Sequence, residues 1–148
     1  MTRPSLPLLL VAGLAVAAPQ QKGPGGAPTE LEGKWVVEEA TTLGGIPQPH
    51  LTDMVIVIKR DRYSASAKAV SEGRIQVDAK ASPKRLEFEV LAIDGKPAAA
   101  GTKGRWIYEL DGDELRMASF TDAGGAIPDK FDPTDRRQMI WKAKRVKN

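Results

Sequence analysis

Residues 84–91 read KRLEFEVL. Leu86, Phe88 and Val90 fall on one side of an extended chain while Glu87 and Glu89 fall on the other, the period of two of a strand with one face in a core. The stretch just before it behaves alike: Ile75 and Val77 alternate with Arg74, Gln76 and Asp78. KASPK lies between the two and reads as a turn, because proline fixes φ and small polar residues favour reversals. An antiparallel pair is the expected result.

The pattern extends across the chain. Eight strands are expected, over 34–41, 53–60, 62–68, 73–79, 84–91, 104–111, 114–120 and 137–146. IYELDGDELRM carries the clearest reversal, since Asp111-Gly112 supplies the positive φ angles of a tight primed hairpin turn. No long amphipathic helix interrupts the series. Consecutive short strands of this kind predict an all-β, up-and-down antiparallel barrel, which removes its own edges. DMVIVIK departs from alternation: Met54, Ile56 and Ile58 take one face, but Val55 and Val57 make the other apolar too. That outer face calls for a cover, expected from the 44–52 connection with Ile46 and Leu51.

The 148 residues suffice for one domain with a real core. Residues 1–18 differ from the rest, with Arg3 ahead of an uncharged apolar run too short to span a bilayer comfortably. Ala15, Ala17 and Ala18 supply the small residues of a cleavage site, so 1–18 reads as a signal peptide. Residues 19–29, PQQKGPGGAPT, hold three prolines and three glycines and read as a flexible linker. The barrel domain is expected over 30–148, exported to the periplasm or secreted, with no membrane span once the leader is gone. Loss of the leader removes Arg3 and no acid, so the formal charge of +3 becomes +2, with 21 Lys and Arg against 19 Asp and Glu. Such a balance gives no reason to expect a global field that selects nucleic acid or an anionic membrane. There is no cysteine, hence no disulfide, thiol nucleophile or lipid-bearing cysteine.

Four stretches together resemble a known family: ELEGKWVVEEA, GRIQVDAKASPKRLEFEV, GRWIYELDGDELRM and IPDKFDPTDRRQMIWKAKR, in that order. They are similar to a lipocalin-like family of uncharacterised exported proteins from planctomycete bacteria. The resemblance implies a small calycin-like barrel and brings no activity, cofactor or catalytic residue. In such barrels the tryptophan of a Gly-x-Trp motif packs against a basic residue of the last strand. The resemblance thus gives Gly33 and Trp35 a structural role in barrel closure, with Arg145 or Lys144 as the partner.

Residues that carry chemistry are sparse. His50 is the only histidine and lies in a loop, so common Cys–His and zinc constellations cannot be assembled. Glu87 and Glu89 share a face, but their alternation with apolar residues directs them to solvent. Asp129, Asp132 and Asp135 recur every third residue without the glycine and terminal glutamate of a calcium loop. RRQMIWKAKRVK has six cations around Trp141, which reads as a solvated terminal strand rather than a stacking groove. No catalytic residue, metal or cofactor is assigned.

The constructive expectation is a barrel interior holding a small apolar or amphipathic ligand. Phe88, Trp106, Tyr108, Met117 and Trp141 are its expected contacts, in a monomer. Ile107 competes with Trp106 and Tyr108 for the inward face. The rival expectation is a side-chain-filled barrel serving as a protein interaction module of the cell envelope.

Overall fold

The architecture follows from the alternation, since each amphipathic strand must bury one face and a closed sheet lets all of them bury it together. The computed structural model describes residues 29–121 and 126–147; the expected signal peptide and most of the expected linker lie outside them. Ten strands run in chain order: β1 (Gly33–Thr42), β2 (Ile46–Pro47), β3 (Val55–Lys59), β4 (Arg62–Ser66), β5 (Val70–Asp78), β6 (Lys84–Ile93), β7 (Lys96–Pro97), β8 (Lys103–Asp111), β9 (Glu114–Phe120) and β10 (Gln138–Arg145). Short 3-10 turns occupy Thr29–Leu31 and Pro49–Leu51. No α-helix occurs among the described residues.

Eight of these strands pair antiparallel in sequence, and β10 returns to β1, closing an eight-stranded barrel. β2 and β7 are two-residue additions beside β1 and β6. Two bulges reset the inward face, between Val37 and Glu39 and between Glu72 and Gly73. At the second bulge a Cβ on Gly73 would lie 1.8 Å from the Glu89 carbonyl oxygen and 3.0 Å from Tyr63, so only glycine lets the strands approach. The β8–β9 loop consists of Gly112 and Asp113, flanked by the Asp111–Glu114 pair. Only Gly112 has positive φ there, at 59°, which matches a turn with glycine first in the loop rather than the Asp-Gly placement expected from sequence.

The main core fills the barrel, with Trp35, Ile56, Ile75, Tyr108, Leu115 and Met117 all essentially inaccessible. A second cluster lies outside the barrel wall: Ile107, Ala118 and Ile140 face outward and are covered by Ile127 and Phe131. Trp106, Ile107 and Tyr108 are therefore all buried, the middle one beneath the β9–β10 connection. Gln138 holds that connection, donating from Nε2 to the Lys130 carbonyl and accepting from the Asp132 amide, both at 3.0 Å.

The cover thus sits elsewhere than expected. Leu51 packs on the main core, Ile46 is 51% exposed, and Val57 on β3 stays 39% exposed. Ala67 lies beyond the end of β4 and is exposed.

Candidate ligand site at the open end of the barrel

The two ends of the barrel differ. At the end where β1 begins and β10 finishes, Trp35 and Arg145 are register partners. The Arg145 guanidinium lies 4.3 Å from the Trp35 ring centroid, an electrostatic attraction to the indole face. Its Nη1 and Nη2 donate to the Glu32 and Glu30 carbonyls at 2.6 Å each, and Nε faces Asp113 at 3.4 Å. Trp35 Nε1 donates to the Leu31 carbonyl at 2.9 Å. Gly33 begins the strand at φ 135°, a conformation side chains rarely adopt, with Arg145 packed against it. Lys144 is exposed, so Arg145 takes the closing position.

Tyr108 belongs to this sealed end. Its hydroxyl donates to Glu30 Oε1 at 3.2 Å, and Lys84 meets the same oxygen at 3.3 Å. Burial, then the Glu30 charge and hydrogen bond, then Asp78, push the Tyr108 hydroxyl well above the ordinary tyrosine range. Met117 is likewise fully buried. Both residues are packed core rather than cavity wall.

The opposite end is less filled. A cavity of about 560 Å³ is lined by Gly104, Trp106, Ser119 and Met139, with Gly101, Lys103, Arg105, Phe120, Thr121 and Ala126 also on its boundary. Trp106 is the one expected ligand contact on this boundary. Its ring lies 4.6 Å from that of Trp141, tilted by 49°. Trp141 follows Met139 on the inward face of β10 and packs on the core, although its indole Nε1 is buried without a hydrogen-bond partner. Phe88 stands opposite Gly104 across the β6–β8 pair and meets Tyr63 edge-on at 4.6 Å. A Cβ on Gly104 would come within 3.0 Å of Trp106 Nε1, so the absent side chain is what lets the indole lie across β8.

The structure thus brings Trp106 to the cavity with Trp141 packed against it outside the boundary, keeps Phe88 at its flank, and sends Tyr108 and Met117 to the packed interior. Gly104, Ser119 and Met139 complete the wall. Gly104 was legible in principle, because it stands two residues before Trp106 and shares its face.

The other chemical candidates are occupied by structural work. Glu87 bridges Lys103 and Arg105 at 3.0 Å each on the outer surface; burial alone would raise its carboxyl, but the two cations outweigh it and hold it below the usual range. Asp132 Oδ1 accepts from the Thr134 amide and hydroxyl, and Asp135 pairs with Arg137. Among the described residues no group of three or more His, Cys, Asp or Glu side chains is placed to hold a metal, and no helix is long and apolar enough to cross a membrane. His50 is exposed in its short turn. No protein family, curated protein or solved structure matches the chain.

Proposed function

We propose that this protein is an exported, lipocalin-like barrel, periplasmic or secreted, that carries one small apolar or amphipathic molecule at its open end. The observation behind this reading is the cavity at the open end, walled by Trp106 and Met139, with Trp141 packed against the Trp106 ring. Trp141 Nε1 is buried without a partner, which costs about 1–3 kcal/mol, and a guest that shifts the Trp106 ring and brings an acceptor to Nε1 would remove that cost. The aromatic rings and Met139 offer the apolar body of such a guest a flat, polarizable wall. The cavity boundary also carries Lys103, Arg105, Ser119 and Thr121, polar groups that suit the head of an amphipathic guest.

The test is a tryptophan-fluorescence titration with a fatty acid and with the alkane of the same length. Trp141→Phe keeps an aromatic ring of smaller area and removes the donor. Binding of the fatty acid should weaken about two- to tenfold while alkane binding stays unchanged. Equal affinity of both chains for the fatty acid, or no response from either, contradicts the reading.

A further inference from the structure

The outer face opposite the covered one sets like charges directly across from one another on neighbouring strands. Lys59 of β3 stands directly across from Arg62 of β4, and Arg62 directly across from Arg74 of β5. Side chains so placed have Cβ atoms about 4.5–5.5 Å apart, where like charges oppose strand pairing. Arg60, in the β3–β4 turn, and Lys34, across from Val57, extend the group. The side chains of these five cations make no hydrogen bond or ion pair with a described residue; Lys68, Lys80, Arg85, Lys96, Lys130, Arg136 and Lys144 share that state elsewhere, but the strand register sets none of them directly across from another cation, as it sets Lys59, Arg62 and Arg74. The acids closest along the sheet are Glu89, across from Arg74, and Glu72, across from Ser64. Neither forms an ion pair with the row. Asp61 lies in the turn, and Glu32 spends its Oε1 on the Arg60 amide.

Apolar surface accompanies the charge. Val57 and Val146, whose amide bonds to the Lys34 carbonyl, flank Lys34 and are 39% and 38% exposed. Beside Arg62 the Glu72–Gly73 bulge leaves a depression of about 340 Å³ walled by Tyr63, Leu91 and Ala92. Tyr63 borders this depression but is buried, and no other aromatic residue of β1, β3, β4 or β5 faces outward, so the face lacks an open platform for stacking nucleobases.

The geometry points to a docking face for an anionic phospholipid surface. Lys34, Lys59, Arg60, Arg62 and Arg74 meet phosphate headgroups, and Val57, Val146 and Leu91 enter the interfacial region. A row of cations that destabilises the free sheet is relieved when phosphates lie against it. A bilayer supplies many headgroups to a convex wall without needing a groove.

The test is co-sedimentation of the full chain with phosphatidylcholine vesicles, with and without phosphatidylglycerol, for the native protein and for Arg62→Gln/Arg74→Gln. Any partition due to the apolar 6–18 run is common to both chains. The native protein should bind the phosphatidylglycerol vesicles preferentially and release in high salt, and the double variant should bind about 30-fold more weakly, about fivefold per cation. Lys142→Gln, on a different face and paired with Glu39, should bind as the native protein does. The thermal midpoint of the double variant should equal or exceed that of the native chain, because the substitutions relieve repulsion. Equal binding to both vesicle types, equal binding by the double variant, a lowered midpoint, or binding to single-stranded DNA in preference to vesicles would each overturn the assignment.

Discussion

At the scale of single residues, the barrel depends on a few side chains whose replacement has a definite sign. Arg145 satisfies two carbonyls and covers Trp35; Arg145→Met should cost about 2–4 kcal/mol in urea unfolding. Arg145→Lys should recover less than half, because an ammonium cannot reproduce the fork. Gly73→Ala places a methyl into the Glu89 carbonyl and should cost about 2–4 kcal/mol or prevent folding. Both tyrosines are held above their ordinary range, Tyr63 by burial against a smaller opposing hydrogen bond to Ser71, and Tyr108 by burial and Glu30. A raised native value means stability that is intact below the unfolded value, about 10, and is lost as pH climbs beyond it. Ultraviolet titration should therefore show no tyrosinate step near the free-tyrosine pKa in the folded protein, with the signal appearing only on unfolding. A step near 10 with the amplitude of both tyrosines contradicts the burial of the Tyr108 hydroxyl.

At the scale of elements, much of the strand pattern was legible and the covering of it was not. KRLEFEVL and GRIQVD announced their faces because only one side of each is apolar. WIY in β8 did not, since Trp106 and Tyr108 face the core while Ile107 faces a second one. The cover over Ile107 is built by Ile127 and Phe131 in a connection without regular spacing, so no period reveals it. The bulges were equally silent: Val37 and Ala40 both turn inward because one residue is absorbed between them, a shift that alternation alone cannot locate. The site suffered from the same limit, since alternation ranks Tyr108 with Trp106 yet cannot tell a sealed end from an open one. Phe131→Ala should cost about 1–3 kcal/mol by uncovering Ile107, Ala118 and Ile140, while the far-ultraviolet spectrum of the barrel persists. Glu87 ties β6 to β8 through Lys103 and Arg105. Its depressed native value contributes stability above the usual carboxylate range, lost as pH falls through that native value; Glu87→Gln should therefore flatten the acid limb of a stability-against-pH curve.

At the scale of the whole molecule, closure of the sheet leaves a polarised object. One end is tied shut by Trp35, Arg145 and residues 30–32, and the other sets Trp106 and small residues around a cavity. Overall charge conceals a second asymmetry, because a near-neutral sum includes a wall where cations face one another without partners. The proposed role is carriage of a small amphipathic molecule at the open end. Native mass spectrometry of protein gently purified from its own host tests it most directly, with the denatured mass as reference. The account predicts an excess mass of small-molecule size that disappears on denaturation and is diminished in Trp141→Phe. A native mass equal to the denatured polypeptide mass, unchanged after incubation with a lipid extract of the host, would contradict it.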